Sequence, residues 1–271
     1  SRPKKLLLYQ WWQYKKIKKL LRKNKYDLIH VNYGFPACFL ISWLKRKLKC
    51  PLVITEFHLG TGMDIIKASQ NPWFVNPILK RVYRKAKKLM AISTDQKKFV
   101  DKISRRKDTI VVFQGTDERT FTPKNYDESI KKKYGVKGPF FLTISRLNKR
   151  KNIADQIRAL ALIVKKFSDA KLVVGGKGEE MNSLKAFAKK LKLENNVTFA
   201  GFVSEEELPK LYATADLFLL SSKFEGFGIA NCEALASGTP VITYDTSAAS
   251  DFIMKGKNGY ITRHDYKEFA D

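Results

Sequence analysis

The sequence is poor in cysteine and histidine, with three residues of each among 271. The cysteines, Cys38, Cys50 and Cys232, are widely spaced and odd in number, and they form no CxxC pair. This pattern argues against a disulfide framework and predicts buried, reduced thiols. Neither residue type recurs at the spacing of a zinc site. A domain held together by disulfides or by a structural metal is therefore not expected.

Long apolar runs are also missing. The longest, Phe35–Leu44, is shorter than the roughly 18 residues that a membrane span requires, and no signal peptide is visible. Internal repeats, low-complexity segments and a DxD-type metal motif are absent from the sequence as well. These absences predict a cytoplasmic protein without a membrane-spanning helix.

Acidic residues are scarce relative to basic ones, with 26 Asp and Glu against 52 Lys and Arg, so the formal net charge is +26. Residues 1–125 contain 29 basic and 8 acidic residues, a net charge of +21, whereas residues 126–271 carry only +5. Such an excess indicates a negatively charged partner, such as phospholipid, nucleic acid or an anionic substrate. The uneven distribution predicts two domains with different partners.

Ten short apolar runs alternate with helical segments along the chain. Most of the runs are continuous rather than alternating, which is typical of strands in a parallel sheet covered by helices on both faces. This order predicts an α/β fold of two doubly wound, Rossmann-like domains. The polar stretch between Gly115 and Gly138 indicates the linker, so we assign the domains to 1–125 and 126–271. The predicted strands are 27–32, 51–55, 88–93, 109–114, 139–145, 171–175, 196–200, 216–220, 240–244 and 259–262.

Two acidic residues, Glu225 and Glu233, flank a Gly-rich turn that precedes a predicted helix. The amides of Gly228, Ile229 and Ala230 would lie at the helix start, where free N–H groups and the helix dipole attract an anion. Glu233 could accept two hydrogen bonds from a vicinal diol such as a ribose. An ordinary helix that begins with acidic residues has the same pattern, so spacing alone leaves both interpretations open.

Basic and glycine residues follow the first two strands of the second predicted domain. Arg146 and Lys151 come after the first strand, where cations could bind a pyrophosphate, although such a basic run is also typical of a solvated turn. Gly176 and Gly178 come after the next strand, in a turn that lacks the full spacing of a dinucleotide fingerprint.

The ordered motifs together resemble glycosyltransferase family 4, the glycosyl transferases group 1, whose members are retaining enzymes with the GT-B fold. The resemblance covers nearly the whole chain and implies an N-terminal acceptor-side domain and a C-terminal nucleotide-sugar domain facing a cleft. It also implies a fragment that lacks N-terminal strands and C-terminal helices. The motifs are Ser145-Arg-Leu147 with Lys151, Gly176-x-Gly178, Phe199-Ala-Gly-Phe-Val203, Glu225-x7-Glu233 and Gly238-Thr-Pro240, with Thr55-Glu-Phe-His58 and Ala91-Ile-Ser93 upstream.

The resemblance implies a role for each candidate site residue. His58 and Glu225 would act as catalytic residues beside the transferred sugar. Among the donor-binding residues, Arg146 and Lys151 would bind the diphosphate, Glu233 the ribose and Val203 the base. Gly228, Ile229 and Ala230 would bind the sugar, and Gly176 and Gly178 would belong to an adjoining donor-binding loop.

The leading hypothesis is transfer of a sugar from a nucleotide-sugar donor to a saccharide or lipid-linked acceptor, with retention of configuration, in cell-envelope or polysaccharide biosynthesis. No metal or other cofactor is expected, because basic side chains and helix amides would stabilise the leaving diphosphate. The alternatives are another GT-B enzyme, such as a nucleotide-sugar epimerase, and a non-catalytic remnant that binds a nucleotide sugar or a membrane. Nucleic acid is not expected as a partner, because the sequence contains no RNP-like, helix-turn-helix or zinc motif.

Residues 1–25 contain ten basic residues and no acidic one, with apolar residues at helical spacing. A basic amphipathic helix with tryptophans is typical of a membrane-surface element. Its apolar stripe could equally pack on the sheet of its own domain, and the two interpretations are compatible if Trp12 and the lysines face lipid. We therefore expect peripheral binding to the anionic cytoplasmic face of a membrane.

Overall fold

The computed structural model describes residues 2–32, 40, 44, 50–57, 72–246 and 248–271. The chain forms two compact units, Ser1–Phe113 and Gln114–Asp271. The division after Phe113 comes before the one predicted after residue 125, because the intervening segment packs on the second unit. Phe121, for example, lies edge-on to Tyr212, with 5.8 Å between the ring centroids.

The first unit is built on a parallel four-stranded sheet in the order β1-β2-β3-β4. Its strands are rich in apolar residues, which helices cover. Ile54 and Leu89 of the sheet pack with Leu79 of one helix and Val100 of another. The elements are α1 (Arg2–Lys23), β1 (Ile29–Asn32), β2 (Leu52–Glu56), α2 (Pro72–Tyr83), β3 (Lys88–Ala91), α3 (Thr94–Ser104) and β4 (Ile110–Val111).

Helix α1 differs from the other helices of this unit in its burial. None of its residues from Trp11 to Lys23 is buried, and none belongs to the core formed by the sheet and its neighbouring helices. Within the described chain, no helix is both long and apolar enough to cross a bilayer. The described part of α1 therefore contributes little to the apolar core of its own unit.

The second unit contains a parallel six-stranded sheet in the order β7-β6-β5-β8-β9-β10. Successive residues face opposite sides, so Phe141 packs into one apolar core and Phe140 and Leu142 into the other. The strands are β5 (Phe140–Ile144), β6 (Lys171–Gly175), β7 (Val197–Gly201), β8 (Leu217–Leu220), β9 (Val241–Tyr244) and β10 (Gly259–Thr262).

Helices cover both faces of this sheet, as the continuous apolar strands predict. They are α4 (Glu128–Tyr134), α5 (Ile153–Ile163), α6 (Met181–Lys190), α7 (Leu208–Thr214), α8 (Ile229–Ala236), α9 (Ala249–Phe252) and α10 (Tyr266–Ala270), with a short 3-10 helix at Pro123–Asn125. All ten predicted strands are found in the structure, and the α/β fold is confirmed. Strand β4 is shorter than predicted, since only Ile110 and Val111 are strand residues.

Two glycines allow the loop after β6 to pass against the loop after β5. A Cβ at Gly176 would lie 1.8 Å from the carbonyl oxygen of Ser145, and one at Gly178 would lie 2.0 Å from that of Leu147. The Leu147 amide also donates to the carbonyl of Lys177 at 3.0 Å. The two loops are therefore closer than any side chain at these glycines would permit.

We predict that Gly176→Ala destabilises the protein by at least about 2 kcal/mol, because alanine is strained at a φ of +124° and its Cβ meets backbone. The measurement is the free energy of urea unfolding. Gly115→Ala is the matched control, since no atom lies within 4 Å of a Cβ at that position. Equal, small effects of the two substitutions would contradict the prediction.

Candidate active site

The sequence-predicted residues of the second unit lie around a reversal of strand order. Strand β5 is hydrogen-bonded to β6 on one side and to β8 on the other, so the chain winds outward in both directions from β5. In open α/β sheets, ligands bind at such a reversal, beyond the carboxyl ends of the strands. Because all six strands are parallel, the loops after β5, β6, β7 and β8 lie at the same edge of the sheet.

An ion pair joins the loops on the two sides of the reversal. Lys151 follows β5 and Glu225 follows β8, and the distance from Lys151 Nζ to Glu225 Oε2 is 2.6 Å. Each side chain is only 14% exposed, so the pair is largely desolvated and each charge depends on the other. The structure thus brings together the residue predicted for the diphosphate and the residue predicted for the sugar.

Arg146, the second cation predicted for the diphosphate, is exposed at the start of the same loop. Within the described residues, its side chain has no hydrogen bond or ion pair, so the guanidinium can bind an anion without breaking a contact.

Helix α8 begins directly after the Glu225 loop. Gly228 has a φ of 89° and precedes the first helical residue, and this left-handed conformation favours glycine. Within the described chain, no hydrogen bond is made by the amides of Ile229 or Ala230, as expected for the first turn of a helix. These N–H groups can therefore donate to an oxygen near Glu225.

Glu233 lies further along α8 and is held by a buried tyrosine. The Tyr212 hydroxyl donates to Glu233 Oε2 at 2.9 Å. Burial raises the pKa of Glu233, and the hydrogen bond from Tyr212 partly opposes this rise. Burial and the charge of Glu233 also raise the pKa of the neighbouring Cys232 thiol to about 11. One carboxylate oxygen is thus fixed by Tyr212, and the other can accept from a ligand.

The remaining donor-side candidates lie on the neighbouring loops. Gly176 and Gly178 follow β6, and the half-buried Val203 follows β7. Phe202, beside Val203, is 72% exposed, and Lys177 Nζ lies 5.7 Å from the centroid of its ring. This edge of the sheet therefore presents an aromatic face next to a cation. His58 lies outside the described residues.

Tyr212 is a site residue that the sequence analysis did not single out. Its ring is fully buried beside Phe218, with 5.2 Å between centroids. A buried tyrosine needs a partner for its hydroxyl, but the sequence could not show that Glu233 is that partner.

Two family models together match nearly the whole chain. The model of a family described as glycosyl transferases group 1 matches residues 126–271, and that of glycosyltransferase family 4 matches residues 2–120. An N-acetyl-alpha-D-glucosaminyl L-malate synthase of Bacillus anthracis is 27% identical over 250 residues, which are 91% of this chain and 64% of that protein.

Two further relatives extend this comparison. An alpha-monoglucosyldiacylglycerol synthase of Streptococcus pneumoniae is 26% identical over 264 residues, which are 93% of this chain and 60% of that protein. The crystal structure of Anabaena HepE in complex with UDP-glucose is 25% identical, with a TM-score of 0.75 over 94% of this chain and 70% of that chain. The chain thus spans less than two thirds of the length of these two synthases.

We predict that Glu233→Gln raises the thermal unfolding midpoint at pH 7. In the unfolded chain the carboxyl ionises near pH 4.5, but in the folded protein burial raises its pKa. Ionised Glu233 therefore lowers stability above the folded pKa, and this cost disappears as the pH falls below 4.5.

The measurement is a series of thermal melts between pH 4 and pH 7, with Glu206→Gln as the exposed-glutamate control. The advantage of Glu233→Gln over the wild type should shrink as the pH falls. A difference that does not change with pH would contradict the assignment.

Proposed function

The chain belongs to the glycosyl transferases group 1 family, and from this membership we propose that it transfers a sugar from a nucleotide-sugar donor to an acceptor with retention of anomeric configuration. The bond between the anomeric carbon and the diphosphate oxygen breaks, and a bond to the acceptor oxygen forms on the same face of the sugar. The acceptor proton leaves with the nucleoside diphosphate. Nothing in the names of the relatives above favours an epimerase.

The single observation that carries this proposal is the Lys151–Glu225 ion pair at the strand-order reversal, with 2.6 Å between the charged groups and 14% exposure of each side chain. A donor brings both complementary groups to this point. Its diphosphate is an anion for the Lys151 ammonium, and its sugar hydroxyls are donors for the Glu225 carboxylate. The ligand would therefore replace the Lys151–Glu225 contact by two contacts, one between Lys151 and the diphosphate and one between Glu225 and the sugar hydroxyls.

The other side chains extend the donor site outward from this pair. Arg146 would bind the diphosphate from the exposed end of the loop, and the amides of Gly228, Ile229 and Ala230 would donate to a sugar oxygen. Glu233 would accept from the ribose hydroxyls through the oxygen that Tyr212 leaves free. Donor-binding roles for Val203 beside the base and for Gly176 and Gly178 remain proposals of the same kind, as does a catalytic role for His58.

We further propose that the reaction needs no metal or other cofactor. Negative charge develops on the diphosphate as it leaves. Lys151 and the first-turn amides of α8 are positive groups of fixed orientation, and together with Arg146 they would stabilise this charge in the transition state.

For the substrates, we propose UDP-sugars as the first donors to test, because the structurally similar HepE is described in complex with UDP-glucose. The acceptor would be a saccharide or a lipid. A lipid is favoured by similarity to a diacylglycerol glycoside synthase and by the strongly basic first unit.

We predict that Lys151→Ala and Arg146→Ala each weaken UDP binding by about 1.5–3 kcal/mol, as expected for a charge-assisted hydrogen bond to phosphate. Isothermal titration calorimetry measures the affinity. Lys149→Ala is the matched control, because Lys149 is an exposed cation of the same loop. Unchanged affinity in both site variants, or an equal loss in the control, would refute the donor site.

Helix α1 is the proposed membrane-binding element, in a peripheral protein at the cytoplasmic face. Its tryptophans Trp11 and Trp12 are each 51% exposed, although apolar residues of this size are usually buried. The ammonium groups of Lys15 and Lys16 lie 3.5 Å and 3.9 Å from the centroids of these rings. Indoles beside cations suit the headgroup region of an anionic leaflet.

We predict that the protein co-sediments with phosphatidylglycerol-containing vesicles but not with pure phosphatidylcholine vesicles at about 0.1 M salt. Lys15→Gln/Lys16→Gln should weaken this binding roughly 30-fold, because each lysine contributes about 1 kcal/mol near an anionic surface. The matched control is Lys189→Gln/Lys190→Gln, which removes two exposed charges from the second unit.

Competing DNA in the same assay separates lipid from nucleic acid as the partner. Binding that is equal for neutral vesicles, that DNA abolishes, or that both double variants weaken equally would contradict the membrane proposal.

A further inference from the structure

Ser221, directly after β8, connects the two loops that carry the ion pair. Its side chain is fully buried. Its Oγ lies 2.9 Å from the carbonyl oxygen of Asn152 and 3.1 Å from that of Lys151. A backbone hydrogen bond adds to this connection, because the Lys223 amide donates to the carbonyl of Arg150 at 2.8 Å. The backbone on both sides of Lys151 is thus attached to the β8 loop.

Gln156 fixes the direction of the Ser221 hydroxyl. Its buried amide nitrogen Nε2 donates to Ser221 Oγ at 3.0 Å, and it lies 3.3 Å from both Thr143 Oγ1 and the carbonyl oxygen of Leu219. Because Ser221 Oγ accepts from Gln156, its own proton is left to bond the carbonyls of the Lys151 loop. Thr143 belongs to β5 and Leu219 to β8, so Gln156 bridges the strands that flank the reversal.

Gln156 lowers the stability of the fold at this position relative to an apolar residue. It lies on the face of α5 that packs with Ile153, Ile157 and Leu160, and its Oε1 is buried without a hydrogen-bond partner among the described residues. An unsatisfied buried amide oxygen lowers stability. An apolar side chain would pack here without that cost, which indicates that the amide serves something other than stability.

The hydrogen bond from Ser221 reaches a strained part of the backbone. Asn152, the residue after Lys151, has a φ of 51°, which is uncommon for a residue other than glycine. Its side-chain amide donates to Asp155 Oδ2 at 2.6 Å, and its carbonyl is one of the two that Ser221 bonds. The conformation that directs the Lys151 side chain toward Glu225 is therefore held from both sides.

We propose that Ser221 and Gln156 are positioning residues that orient Lys151 for the diphosphate of the donor. They reach no ligand themselves and act only through the Lys151 backbone. The inference rests on the proposed donor site. Such buried support reduces the conformational freedom that a ligand must otherwise remove when it binds.

The experiment compares Ser221→Ala, Gln156→Leu and their double variant with Thr214→Val. Thr214 is the matched control, because it is a buried hydroxyl whose Oγ1 accepts from the Asp127 amide at 3.0 Å, outside the loops of the site. Thermal melts measure stability, and calorimetry with UDP measures affinity, with GDP and ADP run in parallel.

Ser221→Ala and Thr214→Val should lower the unfolding midpoint, but only Ser221→Ala and Gln156→Leu should weaken UDP binding, by about tenfold. The double variant should regain much of the stability that Ser221→Ala loses, because no buried amide is then left without partners, while its affinity for UDP stays low. A purely structural role predicts instead that affinity recovers with stability.

Combining Ser221→Ala with Lys151→Ala tests whether Ser221 affects UDP binding through Lys151. In a Lys151→Ala background, Ser221→Ala should weaken UDP binding no further. If both substitutions weaken binding independently, or if Ser221→Ala alone has no effect while Lys151→Ala has one, the positioning inference is wrong. If Lys151→Ala itself leaves binding unchanged, the proposed donor site is wrong.

Amide hydrogen exchange decides the inference without any ligand. The Lys223 amide should exchange faster in Ser221→Ala than in the wild type, whereas Thr214→Val should leave it unchanged. Equal exchange in all three proteins would overturn the inference even if the wild type bound no nucleotide.

Discussion

The ion pair between Lys151 and Glu225 is the contact around which the second unit is organised. It joins loops from two strands that are neighbours in the sheet but far apart in sequence, and it does so where the winding of the chain changes direction. Two opposite charges that are mostly shielded from water hold each other strongly, and each would be costly without the other. A ligand with an anionic and a hydrogen-bonding part is the natural competitor for such a pair.

Much of the surrounding structure can be understood as support for these two side chains. Gly176 and Gly178 allow the β6 loop to lie against the β5 loop. Ser221 attaches the Lys151 backbone to β8, and Gly228 turns the chain from the Glu225 loop into α8. This support has a local cost in stability, because Asn152 has a φ of 51° and Gln156 Oε1 is buried without a hydrogen-bond partner among the described residues. Such costs are common where a binding site is pre-organised.

The two units differ in what they offer a partner. Charge in the first unit is high and largely uncompensated, and the tryptophans of α1 are exposed beside lysines. In the second unit the charges are nearly balanced, and Arg146, Lys151 and Glu225 lie on loops at one edge of the sheet. A broad basic surface suits an extended anionic partner, whereas a few oriented groups suit one small ligand. This contrast agrees with the proposal of a membrane-bound acceptor side and a nucleotide-sugar side.

The strands and helices of this chain are predictable from the pattern of its apolar residues. Continuous apolar runs such as 139–145 and 171–175 are typical of strands that helices cover on both faces. For this reason all ten strands and the α/β class were predictable. The order of motifs, through its resemblance to glycosyltransferase family 4, also identified Arg146, Lys151, Glu225 and Glu233 as candidates. Which of these groups contact one another depends on the folded arrangement of the loops. The Lys151–Glu225 pair, the bond from Tyr212 to Glu233 and the contact of Gln156 with Ser221 join residues that are 74, 21 and 65 positions apart. The periodicity of apolar residues indicates whether a single residue is buried or exposed. The contacts between these residues depend instead on the strand order and on the φ of single residues such as Asn152, and the sequence pattern encodes neither.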